Sequence, residues 1–210
     1  MKRKSDFIWG KAMICTGVLA LLISAGILVY NVWDEARVAD ATARVVQILL
    51  QEIEANKKNH DSVIETLSDG QEDNNDTENT PLFIEAGGER YIGILSISAL
   101  ALDLPVNNIL SESRLKETPC RYGGDVNTSL VIAGHNYKRH FGSLSNLVKG
   151  DSVTLTDARG VNHLYTVEKI VTMNATDIEG MLDGSYGLTL FTCNYSGIAR
   201  VAVRCVKQSF

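Results

Sequence analysis

Three residues of different chemistry stand at the ends of short apolar runs. Cys193 closes Thr189-Leu190-Phe191-Thr192-Cys193, just before a turn marked by Ser196-Gly197. His135 follows the run LVIA and Gly134, and Arg200 opens the run ARVAVRCV. Only the thiolate form of a cysteine is a good nucleophile, and a nearby imidazolium or guanidinium favours it. A guanidinium also stabilises negative charge developing on a carbonyl oxygen under attack. Strand ends give such groups a rigid base and an open face. Alone, each residue reads as structural: a buried thiol, a satisfied histidine, an edge charge. If the strands are neighbours, the combination is suited to acyl transfer by a thiol.

The cysteine count points the same way. Cys15 lies in an apolar run and reads as a small apolar residue, which leaves Cys120, Cys193 and Cys205. Three cysteines permit at most one disulfide, so one thiol is left over. There is no CxxC or HxxxH pattern, and His135 and His140 are five apart, so no metal site is expected.

The elements that must position these residues are short strands. Residues 90–97 (RYIGILSI) alternate as a half-buried strand does, and 130–133 form a short apolar strand. Residues 141–149 read as one or two helical turns. Residues 152–156 and 161–171 read as a hairpin about a turn at 157–160. A short helix is expected at 176–182, with Thr176 as N-cap and Glu179 completing a capping box. Strands at 187–192 and 199–206 follow. Many short, closely spaced strands predict an antiparallel sandwich or barrel.

Ahead of this domain the pattern differs. Residues 12–33 carry no charge, with Lys2, Arg3, Lys4 and Lys11 before them and Asp34 and Glu35 after. A helix of about 20 apolar residues spans a bilayer. The basic flank predicts a cytoplasmic N-terminus with the remainder exported. The run exceeds the core of a signal peptide, about 7–15 residues, so an uncleaved anchor is expected. Residues 34–60 predict an amphipathic helix with an apolar face of Val38, Ala41, Val45, Ile48, Leu49 and Ile53, packed on its own domain. Residues 61–80 predict an acidic linker: positions 61–79 hold seven acids and no base. The domain proper is expected at 81–210, after a basic tail at 1–11, the anchor at 12–33 and these two segments.

Composition bounds the rest. The chain has 210 residues, 45% hydrophobic, with a net charge of −5. That excludes a chain disordered throughout, a collagen-like repeat and a polytopic membrane protein. The mild acidity argues against a nucleic-acid binder. Residues 80–210 hold twelve bases and twelve acids, so the acidity belongs to the linker.

The residues from Tyr91 to Val206 resemble the sortases, membrane-anchored cysteine transpeptidases of Gram-positive bacteria. The resemblance rests on TLFTC at 189–193, on Arg200 at the start of the next strand, and on VIAGHN at 131–136. IGILSI at 92–97 and LPV at 104–106 are similar to the family's opening strand and following turn. The resemblance implies a mainly β fold, a closed eight-stranded barrel with short helices. It implies Cys193 as nucleophile, His135 as acid and base, and Arg200 as holder of the substrate backbone or oxyanion. It places Thr192, Leu190, Asn136 and Arg204 among residues near the substrate, Arg204 because RxxVR sets it on the same strand face as Arg200.

The implied partners are an LPxTG-like sorting signal of a secreted protein, an amine acceptor such as a peptidoglycan peptide, and the membrane. The implied setting is a single-pass membrane protein with its catalytic domain outside the cell. No metal or organic cofactor is implied, and calcium activation stays open, as does a disulfide between Cys120 and Cys205. The N-terminal helix is similar to class B, whereas the compact core is closer to class D. Two other readings remain: a pilin-polymerising member, which predicts a lid not visible before Tyr91, and a non-catalytic tethered barrel.

Overall fold

The computed structural model describes residues 3–67, 83–193 and 198–208. The chain divides into two units, residues 1–39 and 40–210. In the first, helix α1 (Arg3–Leu67) contains a candidate membrane span, Met13–Trp33, whose side chains are all exposed. An apolar helical surface without protein cover is what a lipid environment favours.

The second unit is built around a barrel. Its strands are β1 (Ile84–Ala86), β2 (Glu89–Ile97), β3 (Leu102–Asn107), β4 (Cys120–Gly123), β5 (Leu130–Ala133), β6 (Ser152–Asp157), β7 (Asn162–Asn174), β8 (Leu188–Cys193) and β9 (Ala199–Lys207). Neighbours run β2-β3-β4-β5-β8-β9-β7-β6, and β6 pairs with β2 to close the ring. Eight strands therefore make the closed barrel, and β1 adds an antiparallel flap to β2. Closure removes the open sheet edges that short strands would otherwise expose. Two short helices, α2 (Glu112–Glu117) and α3 (Ile178–Met181), join strands at one side.

Period-two alternation sets the two faces. Leu130, Ile132, Leu188, Leu190, Val203 and Cys205 point into the barrel core with Leu95, Leu155 and Phe141. Val131, Ala133, Phe191 and Ala202 point outward and are covered by Met181, Leu115 and Tyr122. Gly93 belongs to a bulge in β2 and has φ 150°; a Cβ there would meet the Thr156 carbonyl oxygen at 2.1 Å. The closing β2–β6 seam thus requires glycine.

Residues 40–67 of α1 pack on the barrel through Val46, Leu49 and Ile53, against Ile84, Tyr91, Ile94 and Ala158. Thr42 donates its hydroxyl to the Glu117 carbonyl and Asn56 its amide to that of Ala158. Each buried aliphatic side chain contributes roughly 1.5–3 kcal/mol. The buried stripe is Thr42, Val46, Leu49 and Ile53, while Ala41 and Ile48 are exposed. The buried face is turned from the expected one and includes Thr42, which bonds to α2. The helix runs to Leu67, seven residues into the expected linker, and the rest of that segment lies outside the described residues.

The region 141–149 holds one helical turn, of 3-10 type, at Leu144–Asn146, as expected. Two local expectations are corrected. The cap of α3 is Asp177, whose carboxylate accepts the Gly180 N–H at 2.9 Å, and Thr176 bonds to Asn174 instead. Residues 104–106 are part of β3 rather than a turn. Pro105 is tolerated because β3 bonds to β2 along its length but meets β4 only at Asn107.

Candidate active site

Strand register sets Cys193 opposite Arg200 and puts the strand that His135 follows beside the strand that Cys193 ends. In the antiparallel β8–β9 pair, Cys193 lies directly opposite Arg200. In the parallel β5–β8 pair, Ala133 lies beside Phe191, and the Gly134 N–H donates to the Phe191 carbonyl at 3.0 Å. His135 therefore leaves β5 level with Cys193, which is two residues past Phe191. Cys193 is the middle member of the three, on the middle strand, and shares the outer face with Phe191, Ala133, Ala202 and Arg200. Opposite residues of adjacent strands hold their Cβ atoms about 4.5–5.5 Å apart, within reach of direct side-chain contact.

The environments of the three differ. Cys193 is exposed, while Cys120 and Cys205 are buried, and all are free thiols. Burial pushes the Cys120 thiol up to about 11 and the Cys205 thiol to about 12. Neither is a thiolate near neutral pH, so Cys193 is the accessible thiol of the barrel. No disulfide joins Cys120 and Cys205.

His135 is half-buried, and its Nδ1 is buried with no hydrogen-bond partner among the described residues. Burial, then the positive charge of Lys116 on α2, holds its imidazole below the ordinary value of 6.5. Gly134 makes this geometry possible, because a Cβ there would lie 2.4 Å from the Phe141 ring. The Phe141 N–H donates back to the His135 carbonyl at 3.2 Å.

Arg200 is half-buried, and its Nη1 is buried with no partner among the described residues. A guanidinium opposite an exposed thiol is of the chemistry that binds a carbonyl or carboxylate through charge-assisted hydrogen bonds. Arg204 is different. It is only 3% exposed. Its Nη1 donates to the Met181 carbonyl at 3.1 Å and to Thr189 Oγ1 at 2.8 Å. Its Nη2 donates to the Gly180 carbonyl, and the guanidinium stacks over Tyr186. Arg204 shares the outer face with Arg200 as expected, but α3 covers it, and its bonds brace the β7–β8 connection.

Leu190 is likewise removed from the substrate surface: it is fully buried in the barrel core. Thr192 is 3% exposed, on the inner-facing side of β8, with an unbonded buried hydroxyl. Asn136 is half-buried next to His135. Among the described residues no group of three or more His, Cys, Asp or Glu side chains is placed to hold a metal ion.

Sequence reasoning missed Lys116, Tyr137 and His140. The Tyr137 ring stacks on His135, with centroids 4.0 Å apart and planes at 23°. His140 lies 5.9 Å beyond Tyr137, fully buried, and among the described residues neither ring nitrogen makes a well-aligned hydrogen bond. Burial, then His135, pushes its imidazole down to about 4, the nearby Glu117 carbonyl acting weakly the other way. The nearness of three aromatic rings in HNYKRH was the available signal.

Comparison with known proteins adds to this geometry. A family model described as Sortase domain matches residues 95–208, more than half of the chain. Comparison with curated protein sequences gives no match. Among solved structures, a Clostridium perfringens sortase D5 transpeptidase is similar with TM-score 0.58 and 16% identity, over 81% of this chain and 99% of that one. Streptococcus pneumoniae sortase C is similar with TM-score 0.56 and 22% identity, over 80% and 97%. Listeria monocytogenes sortase A gives 0.52 and 19%, over 57% and 88%. At these identities the likeness is one of fold.

Proposed function

The chain belongs to the sortase family of cysteine transpeptidases, and from that premise we propose that it joins secreted proteins to a cell-wall amine. The Cys193 thiolate attacks the carbonyl of the Thr–Gly-like bond in an LPxTG-like signal. The bond to the leaving amine breaks, and a thioester to Cys193 forms. His135 delivers the proton that the departing amine needs and takes one from the incoming amine. The unpaired Nη1 of Arg200 holds the carbonyl oxygen or the adjacent backbone. A thioester keeps acyl-transfer potential, so an amine can compete with water, and no step needs a cofactor.

The observation that carries the reading is that Cys193 pairs with Arg200 across β8 and β9, while β5, which His135 follows, pairs with β8. Met13–Trp33 is the proposed anchor, with the basic tail in the cytoplasm and the barrel outside. Anchoring would keep the enzyme near membrane-attached substrates and wall precursors. The Streptococcus pneumoniae sortase C structure bears on pilin substrate specificity, but no lid motif is visible in this sequence before Tyr91 to favour that role here. The test is the full chain in detergent, offered a panel of sorting peptides with wall-peptide amines or a pilin-type lysine. Ligation to the wall amine supports the proposal; ligation only to lysine overturns it.

A further inference from the structure

We propose that Tyr137 is a positioning residue for this chemistry: its ring stacks on the His135 imidazole and fixes it toward Cys193. The inference rests on the role proposed for His135. A catalytic histidine is commonly oriented by a carboxylate bonded to its second nitrogen. Here Nδ1 of His135 is buried and unbonded, and among the described residues no carboxylate reaches the ring. What does hold the ring is the face of Tyr137, 4.0 Å away and nearly parallel.

Tyr137 is itself fixed from two sides. Its carbonyl accepts the N–H groups of both His140 and Gly142, each at 2.9 Å. A Cβ on Gly142 would lie 2.7 Å from that carbonyl oxygen, so the double bond needs glycine there. The buried His140 ring lies at 5.9 Å, tilted by 55°. The loop 135–142 therefore closes on itself and sets the Tyr137 ring between two imidazoles.

Stacking also suits the charge that His135 must carry. A ring face attracts a cation, so Tyr137 favours the imidazolium. This opposes Lys116, the charged group on α2 that disfavours it. Cys193 and Arg200 lie on β8 and β9, the next two strands after β5 in the sheet, and His140 lies in the same loop as His135. A side chain that only filled space would be replaceable by any apolar one of similar size. A stacking platform is replaceable only by another ring.

The experiment uses the full chain in detergent micelles with a sorting peptide and an amine acceptor. His135→Ala is measured first; turnover in that variant overturns the function proposed above, whatever Tyr137 does. With His135→Ala inactive, Tyr137→Leu is expected to lower kcat about 10- to 100-fold through a misplaced imidazole. KM is expected to stay within about twofold, since ground-state binding is untouched. Tyr137→Phe is expected to restore kcat. A Tyr137→Leu enzyme with unchanged kcat, or with the loss confined to KM, overturns the inference. So does a Tyr137→Phe enzyme as slow as the Leu variant. If Tyr137→Leu does not fold, the unmodified protein decides: the His135 ring protons must show an upfield ring-current shift, and their absence from that region overturns the stack.

Discussion

Arg200 and Arg204 are four residues apart on one face of β9, yet their substitution should fail in different ways. Removing Arg204 takes away a guanidinium that is only 3% exposed. It leaves the Met181 carbonyl, the Gly180 carbonyl and Thr189 Oγ1 without their donor. Hydrogen bonds to a charged group are worth roughly 1.5–3 kcal/mol each, but the buried cation's desolvation cost is recovered at the same time. A net loss of about 3 kcal/mol is therefore expected for Arg204→Ala. For a domain of this size each kcal/mol lowers Tm by about 3 °C, giving a fall of about 10 °C. Arg200 is half-buried with a free Nη1, so Arg200→Ala should leave Tm nearly unchanged. Its loss should appear in kcat/KM, about 100- to 1,000-fold if it serves the developing oxyanion. The assay pairs thermal unfolding with peptide turnover measured well below both transitions. Arg204→Ala should then keep most of its activity. Equal activity losses with equal Tm would refute the assignment of one arginine to chemistry and the other to bracing.

Two further outcomes follow from the same neighbourhood. His140 titrates at 6.5 unfolded and at about 4 folded, so the unfolded chain takes up the proton first as pH falls. The stability tied to neutral His140 is complete above 6.5 and is lost as pH falls to about 4, roughly 3 kcal/mol over that window. Urea unfolding across the window should show this slope, and His140→Phe should flatten it; an unchanged slope would contradict the burial of a neutral ring. Gly134→Ala should cut turnover while thiol labelling of Cys193 persists, because the added Cβ would drive Phe141 and the His135 segment apart. Full activity in that variant would show that the loop tolerates what the packing forbids.

The strands were legible from their period-two runs, and the candidate chemistry from the ends of those runs. Cys193, His135 and Arg200 were visible because each ends or opens an apolar run, and local pattern marks such ends. Leu190 should have been excluded by the same logic: three residues before Cys193, alternation sends it to the opposite face, and it is fully buried. Arg204 could not be read locally. Alternation placed it on the outer face correctly, but its burial comes from α3, more than 20 residues upstream, folding over it. Helix α2 was missed because it spans six residues and its signal is a single cap, Ser111, whose hydroxyl accepts the Arg114 N–H. Tyr137 was missed because stacking depends on a loop closed by backbone bonds and two glycines, which periodicity does not register.

The central claim is that Cys193 becomes acylated by the substrate with His135 beside it. The direct measurement is intact-protein mass spectrometry of the full chain mixed with a sorting peptide and no acceptor amine, followed by digestion to locate the adduct. The account predicts a mass gain equal to the acyl half of the peptide, located on Cys193, released by hydroxylamine and absent from Cys193→Ala. Turnover by Cys193→Ala, or an acyl group carried on any other residue, would contradict it.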